Sequence, residues 1–432
     1  MIIKCLGRIA DIFNKQKVLY VSIFWGSLAG VFSQGLNFIT NIFLTRFLGV
    51  KYGELVLYTS TNGMLQTFAI VGLNVLATVF VAKNLRNNKA TLSKIIPNLY
   101  FFVGAMTLLV AFFAICVNEF QLFSIHFWVI KSWFAKSTII IWFVFSTLDL
   151  LQISILLGFS AFKDVAKVSL IKGIVSIILT LIFIKFYGLS GAIYAYAISF
   201  IISFGLNFIF IKKNCLLNSL KLIHKVDLTL IIELLKVSTP IFIASFVLLP
   251  SQWGINYIIF NRDNGSLALT IFGIANQWMM LVQFFPLQIS KVVLPFLTSK
   301  DNSTSDYKKT ENTGLLISVL IGLSLILLIF LFEENIIAVY KIGYQATKCP
   351  FRILMVAALF SIVNLYLGQT LIASGRTWLK AFLDVVMSIT LFVAFLASAN
   401  FSAPVSLSIA YFASFIVASL FTLFFKQKKF NR

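Results

Sequence analysis

The chain has 432 residues, of which 60% are hydrophobic and 11% are charged, and its formal net charge at pH 7 is +21. A soluble globular domain carries roughly twice that charged fraction, so the composition excludes one. The apolar residues come in blocks of about 20, the length that spans a bilayer, and not in the alternating units of a membrane β-barrel. The sequence therefore predicts an all-α integral membrane protein.

The first predicted element is a short interfacial helix over residues 2–16, whose apolar residues fall on one face. Twelve transmembrane spans follow. They are predicted over residues 18–44, 54–81, 98–118, 137–160, 168–186, 192–211, 237–258, 267–293, 314–332, 350–373, 381–398 and 404–425. The segment 119–136 carries Trp128 and Trp133 and is typical of an interfacial aromatic belt.

Spans 1 and 2 are joined by a turn in which Gly49 and Gly53 flank Lys51. Glycine at both positions suits a backbone that reverses sharply. Span 1 is apolar, yet four polar residues share one of its faces because they are three or four positions apart. They are Gln34, Asn37, Asn41 and Thr45. The pattern predicts a membrane helix with a polar inner face.

Lysine and arginine are divided unequally between the two sets of loops. The termini and every second connection hold 24 of the 35, whereas the opposite loops, counted together with Lys185 at the end of span 5, hold 8. Because basic loops stay on the cytoplasmic side, both termini are predicted to lie in the cytoplasm. Membrane anchoring accounts for the high net charge, so we expect no nucleic-acid partner.

The longest predicted cytoplasmic connection, residues 212–236, divides the chain into two halves. We predict an N-terminal lobe over residues 1–211, with the interfacial helix and spans 1–6, and a C-terminal lobe over residues 237–432, with spans 7–12. Residues 158–201 resemble residues 372–416 at an offset of 214 to 215 positions. This is either a parallel repeat, which places a substrate path between two lobes, or chance likeness of apolar segments.

Amide and hydroxyl side chains recur on spans 1, 2, 7 and 8, where they are costly unless they face protein or water. Helix–helix hydrogen bonding explains any single one of them. Their spread over four spans favours a hydrated cavity. The amides predicted to line a substrate path are Asn37, Asn41, Asn62, Gln66, Gln252, Asn256 and Asn276.

Asp149 lies at the middle of span 4. A charge there costs roughly 2.5–3.5 kcal/mol, so the carboxylate must be paired, protonated or hydrated. It is either a coupling-ion or proton site or one half of a structural ion pair. Lys172 and Arg352 lie near span ends, where snorkelling to the interface explains them. A cation facing a cavity, such as Arg46 at the outer rim, would instead attract phosphate.

The sequence predicts neither a metal site nor a cofactor. The four cysteines are scattered without a CxxC pair, and the two histidines lie far apart. Phosphate-binding loops, nucleophile elbows and HExxH patterns do not occur in it, so we expect no enzyme.

Three stretches carry a resemblance to a known family. Residues 44–57, LTRFLGVKYGELVL, resemble the first outer turn of the polysaccharide-exporter family of flippases. Residues 271–297, IFGIANQWMMLVQFFPLQISKVVLPFL, and residues 373–376, ASGR, are similar to the corresponding segments of bacterial O-antigen flippases. The likeness extends over nearly the whole chain in span count, loop lengths and the six-plus-six layout.

The resemblance implies the fold of multidrug and toxic-compound extruders, in which two six-helix bundles alternate access to a central cavity. It implies that the chain moves undecaprenyl-pyrophosphate carrying an oligosaccharide repeat unit across the bacterial inner membrane. Implied partners are this lipid-linked oligosaccharide, membrane lipids, a polysaccharide polymerase and a chain-length regulator. Arg46 matches the family's arginine after span 1, and Lys172 and Arg352 are weaker candidates to bind the pyrophosphate. The chain departs from the family in its few deep cations and its one deep acid, Asp149.

Two other functions stay open from the sequence. A cation-coupled multidrug antiporter of the same superfold needs an acid in its cavity, which Asp149 would supply. A membrane polysaccharide polymerase would need a sizeable outer loop with acidic groups, and the predicted loops are short.

Overall fold

A computed structural model describes residues 2–120, 127–128, 132–220, 226–298 and 305–430. Every regular element in these ranges is helical, which confirms the predicted all-α class. The helices are α1 (Ile2–Leu48), α2 (Tyr52–Ile70), α3 (Leu73–Asn87), α4 (Lys89–Glu119), α5 (Trp133–Gly158), α6 (Phe162–Leu217), α7 (Leu228–Phe260), α8 (Gly265–Thr298), α9 (Ser305–Leu331), α10 (Glu333–Val339), α11 (Tyr344–Ala373), α12 (Thr377–Ala397) and α13 (Ala403–Phe430). A 3-10 turn, Gly49–Lys51, joins α1 to α2.

Nine helices within the described residues are long and apolar enough to cross a membrane, or ten when a bent pair counts as one span. Helix α6 has 56 residues, about 84 Å at 1.5 Å per residue, far more than a bilayer core of about 30 Å. It breaks at Gly188, whose φ of 55° and ψ of −128° suit glycine. Helix α6 therefore holds two of the predicted spans, 168–186 and 192–211.

The second predicted span, 54–81, contains a break that was not predicted. Val71 and Gly72 have positive φ values of 49° and 73°, and the chain bends by 48° between α2 and α3. A Cβ at Gly72 would lie 3.2 Å from the backbone nitrogen of Phe242 on α7. Glycine at this position thus permits both the positive φ and the close approach of α7.

The N-terminal segment, residues 2–16, is helical but is not separate from span 1. Helix α1 runs from Ile2 to Leu48 in one piece. Neither glycine nor proline occurs between residues 8 and 25, so nothing in the local sequence stops the helix there.

Equivalent contacts recur in the two halves of the chain. Gln66 Nε2 on α2 donates to Ser146 Oγ on α5 at 2.7 Å. Gln283 Nε2 on α8 donates to Ser361 Oγ on α11 at 2.8 Å. The donors lie 217 and the acceptors 215 positions apart, close to the predicted offset. This recurrence supports the parallel repeat, while the lobe boundary at residues 212–236 stays a prediction.

Helices α1 and α2 contact α7 and α8 along what we call the seam. Next to the Gly49–Lys51 turn, Ser266 Oγ and Thr270 Oγ1 on α8 donate to the Val50 carbonyl oxygen at 2.7 and 2.9 Å. A Cβ at Gly53 would lie only 1.9 Å from the Ser266 carbonyl oxygen. The seam is therefore closed at this end of the bundle.

Candidate functional site: two polar cavities

The chain reverses between α1 and α2, which brings the predicted amides of both helices to one level. Tyr196 OH donates to Asn41 Oδ1 at 3.4 Å. The Tyr196 ring stacks on the Trp142 ring of α5, with the ring centroids 5.1 Å apart. Asn62 Nδ2 donates to Ser146 Oγ at 3.2 Å. Trp142 and Ser146 are one turn apart on α5, so Asn41 and Asn62 lie at similar depth on antiparallel helices.

A polar cavity of about 210 Å³ lies between α1, α5 and α6, and we call it the first-half cavity. Asn37 lies on its α1 wall and is exposed, although it falls within span 1. Lys172, Tyr196 and Phe200 lie on its α6 wall. Two predicted path residues, Asn37 and Lys172, therefore border one cavity.

Asp149 on α5 is 2% exposed and accepts three hydrogen bonds. Lys172 Nζ donates to Oδ2 at 2.9 Å. Ser203 Oγ and Asn207 Nδ2 donate to Oδ1 at 2.6 and 2.8 Å. Such donors offset the cost of burying a carboxylate. The sequence left open an ion pair or a coupling site; the structure shows the ion pair with Lys172, and a coupling role stays a prediction.

Lys172 turns inward to Asp149 rather than snorkelling to the membrane surface. Its Nζ also lies 3.5 Å from the centroid of the Phe200 ring, a favourable cation–π arrangement. The side chain keeps 25% exposure where it borders the cavity. Because an ammonium has three N–H donors, Lys172 can hold Asp149 and still donate to an anion.

A second polar cavity, of about 380 Å³, lies between α7, α8, α11, α12 and α13, and we call it the second-half cavity. The predicted residue Gln252 lies on its α7 wall. Lys380 and Asp384, one turn apart on α12, form an ion pair on another wall. A Cβ at Gly368 would lie 2.7 Å from Lys380 Cε, so the lysine stem lies against α11.

Sequence reasoning did not assign Lys380 to a site, although its i,i+4 spacing from Asp384 signalled a pair. It also did not assign Ser203 and Asn207, which are four residues apart and so share a helical face. Within the described residues, no group of three His, Cys, Asp or Glu side chains could hold a metal ion.

The remaining predicted residues border neither cavity. Arg46 is exposed in the last turn of α1. Arg352 Nε donates to both carboxylate oxygens of Glu333 at 3.0 and 2.8 Å, near the start of α11. Asn256 is buried on α7 and Asn276 is half-buried on α8. Asn41, Asn62 and Gln66 make the hydrogen bonds to Tyr196 and Ser146 that are described above. Of the predicted path residues, Asn37, Lys172 and Gln252 border these two cavities.

Residues 19–301 match the family described as "Polysaccharide biosynthesis protein". The EPS I polysaccharide export inner membrane protein EpsE of Ralstonia nicotianae is 26% identical over 142 residues, 32% of this chain and 33% of that protein. EpsE of Ralstonia solanacearum is 27% identical over 142 residues, with the same coverage. The matches thus span about a third of the length of these relatives.

Solved transporter structures share the fold. The inward-facing conformation of a multidrug resistance MATE family transporter of the MOP superfamily superposes with a TM-score of 0.68 at 13% identity, over 90% of this chain and 94% of that one. An outward-facing conformation gives 0.68 at 13% identity, over 95% of each chain. A MOP superfamily transporter from Pyrococcus furiosus gives 0.63 at 12% identity, over 93% and 95%. The MATE-like fold predicted from the sequence is confirmed.

The family match covers more than half of the chain and includes the first-half cavity, the seam and most of α8. It agrees with the resemblance to polysaccharide exporters that the turn after span 1 and the α8 stretch carry. This chain is a multi-pass membrane protein that belongs to the polysaccharide biosynthesis protein family.

Proposed function

We propose that the protein is a flippase for an undecaprenyl-pyrophosphate-linked oligosaccharide of the O-antigen repeat-unit type. It would move this substrate from the cytoplasmic to the periplasmic leaflet of the bacterial inner membrane. One observation carries the proposal. The seam is closed beside Val50, whereas the two polar cavities lie toward the opposite end of the bundle. The chain that has this arrangement belongs to the polysaccharide biosynthesis protein family. Such an arrangement is what one state of an alternating-access transporter requires.

The physical task suits this arrangement. The lipid tail of such a substrate can stay in the bilayer while its head group crosses. The barrier is the transfer of a charged head with many hydroxyls through hydrocarbon, where its hydrogen bonds to water are lost. Amide and hydroxyl side chains inside the bundle lower that barrier because they replace those hydrogen bonds.

The charge distribution supports an orientation. The basic loops lie on the side of the two termini, which we therefore place in the cytoplasm. Both cavities lie toward that side, since their walls include Val165 near the start of α6 and Thr377 at the start of α12. In the proposed orientation this would be the state that accepts substrate from the cytoplasmic leaflet.

Different side chains would recognise different parts of the substrate: cations the pyrophosphate, and amides the sugar. Lys172 is our candidate for the pyrophosphate because, of the three cations predicted on the substrate path, it is the one that borders the first-half cavity. Arg46 and Arg352 would act in another state, since neither borders a cavity in this one. The amides proposed to contact sugar are Asn37, Asn41, Asn62, Gln66, Gln252, Asn256 and Asn276. If alanine at both Asn41 and Asn256 leaves export unchanged, this assignment is lost.

Asp149 is our candidate for coupling transport to protons or sodium. In this state Lys172, Ser203 and Asn207 occupy its oxygens, so ion uptake would need a state in which Lys172 has moved away. Normal transport by Asp149→Asn under every ion gradient would remove the coupling role. The polysaccharide polymerase and the chain-length regulator remain proposed partners.

The function is tested in a strain that lacks the gene. Lipid-linked oligosaccharide is labelled with a membrane-impermeant reagent in intact and in broken cells. We expect the oligosaccharide to accumulate on the cytoplasmic side and to react only after breakage. Normal labelling in intact cells would contradict a flippase, and increased drug sensitivity would then favour the multidrug antiporter.

A further inference from the structure

We propose that the second-half cavity binds the glycan part of the substrate, with Gln252, Gln369 and Asp384 as its hydrogen-bonding groups. This proposal rests on the proposed function and adds a division of labour to it. The first-half cavity would hold the pyrophosphate at Lys172, and the second-half cavity would recognise the sugar.

The second-half cavity has hydrogen-bonding groups that no described residue fully occupies. Among the described residues, the Asp384 carboxylate has one side-chain donor, Lys380, whereas Asp149 has three. Gln252 and Gln369 border the same cavity, and neither makes a hydrogen bond to another described residue. These side chains together present both donors and acceptors to the space between them.

The side chains that line the second-half cavity match the chemical groups of a sugar. A sugar hydroxyl both donates and accepts, so it pairs with an amide in either direction and with a carboxylate as a donor. The cavity also has an apolar wall, to which Phe415 and Met387 contribute. Such a wall suits the C–H face of a sugar ring. A lining of this mixed kind fits a polyhydroxyl ligand better than a bare phosphate.

Size separates the two cavities. The second-half cavity, about 380 Å³, falls within the range of roughly 300–1,000 Å³ that is usual for small-molecule sites. The first-half cavity, about 210 Å³, falls below that range. The second-half cavity therefore offers more room for a polyhydroxyl ligand in this state.

The two halves of the repeat carry different side chains at equivalent cavity positions. At an offset of 215 residues, Met387 corresponds to Lys172, and Asp384 corresponds to Ser169. All four residues border one of the two cavities. The first-half cavity therefore presents the cation of an interhelical pair whose acid is 2% exposed, whereas the second-half cavity presents both members of a partly exposed pair, the Asp384 carboxylate included. Two sites of different chemistry suit two different parts of one ligand.

The test uses the full-length protein in nanodiscs and two probes. One is the oligosaccharide released by mild acid from the lipid-linked intermediates of a strain lacking the gene. The other is undecaprenyl pyrophosphate. Equilibrium binding of each probe is measured for the wild type, Asp384→Asn and Gln369→Leu. The matched control is Glu311→Gln, which removes the partner of Lys426 at 3.2 Å and borders neither cavity.

We expect each cavity variant to bind the oligosaccharide about tenfold more weakly, the usual order for one lost hydrogen bond to a charged or buried group. Binding of undecaprenyl pyrophosphate should stay within about twofold, and the control should match the wild type for both probes. Gln369→Leu keeps the ion pair, so it serves if Asp384→Asn does not fold.

Unchanged oligosaccharide binding in both variants would overturn the subsite, as would an equal loss for both probes. The proposed function fails in a different way. If wild-type protein binds neither the intact lipid-linked oligosaccharide nor its parts, the flippase assignment falls. If the wild type binds the intact substrate and the variants bind it equally well, only the sugar subsite falls.

Discussion

The two halves of the bundle each place an acid–lysine pair beside a polar cavity, but they build it differently. Asp149 and Lys172 come from α5 and α6, and the carboxylate is 2% exposed with two further donors. Lys380 and Asp384 lie one turn apart on α12, with side-chain exposures of 27% and 16%. The first pair joins two helices, whereas the second belongs to one helix.

This difference indicates different roles. A buried pair between helices fixes their packing, and breaking it leaves an uncompensated charge. A partly exposed i,i+4 pair contributes little to stability and can exchange its partner for a ligand. The comparison thus predicts a rigid first-half site and an adaptable second-half site.

The largest effect is expected for Lys172→Met. This change leaves Asp149 buried without its counter-charge, which typically costs about 3–5 kcal/mol. Thermal unfolding in detergent should show a strong loss of stability. The double variant Lys172→Met with Asp149→Asn should recover most of it, because neither charge remains. A single variant as stable as the wild type would contradict the structural role of the pair.

The next largest effect concerns the seam. Gly53→Ala places a Cβ 1.9 Å from the Ser266 carbonyl oxygen, and overpacking of this kind typically costs about 1–3 kcal/mol. The closed end should open, so a cysteine introduced at the buried position Thr270 should react faster with a membrane-impermeant maleimide. Gly63→Ala on the same helix is the control, since its Cβ meets nothing within 4 Å. Equal labelling rates in the two variants would mean that this contact does not close the seam.

A smaller stability change is expected for Lys380→Met. An i,i+4 pair contributes about 0.3–0.5 kcal/mol, so the unfolding temperature should differ little from that of the wild type. This experiment sharpens the contrast with Lys172→Met under identical conditions. A loss as large as that of Lys172→Met would show that the two pairs are structurally equivalent.

The smallest effect is expected for Asp227, a helix-capping carboxylate that belongs to neither ion pair and serves as a reference for both. The hydrogen bond from Thr229 Oγ1, and then that from the Leu230 backbone N–H, lower the pKa of Asp227, which caps α7. A lowered pKa contributes stability above the usual aspartate value of about 3.9 and loses it as pH falls through the folded value.

Asp227→Asn keeps a capping side chain that does not titrate. The small advantage of the wild type at pH 7 should therefore shrink as the pH falls to about 3, the acidic end of the usual aspartate range. Unfolding temperatures measured across this range check the direction. A difference independent of pH would mean that the carboxylate charge does not contribute to the cap.

The sequence predicted the features that follow from local chemistry. Blocks of apolar residues predicted the spans, glycines predicted the reversal after α1, and the cost of a buried charge predicted that Asp149 needs compensation. The partner of Asp149 was not predicted, because Lys172 lies 23 positions away and only the packing of α5 on α6 brings them together.

Other features depend on contacts between distant segments. The break at Val71 and Gly72 reflects the approach of α7, which the local sequence does not show. The contact of Arg352 with Glu333, which lies beyond α9, likewise depends on helix packing, and the place of Arg352 on the substrate path stays a prediction. The second-half cavity was missed for the same reason, since five helices contribute to its walls.

The most direct test of the central claim is transport by purified protein. Proteoliposomes would carry lipid-linked oligosaccharide extracted from a strain lacking the gene, with a proton or sodium gradient imposed. A membrane-impermeant oxidant then reports the fraction of glycan in the outer leaflet over time. We expect the protected inner-leaflet fraction to become accessible much faster than in protein-free liposomes. Equal rates with and without folded protein, under every gradient, would contradict the assignment as a flippase.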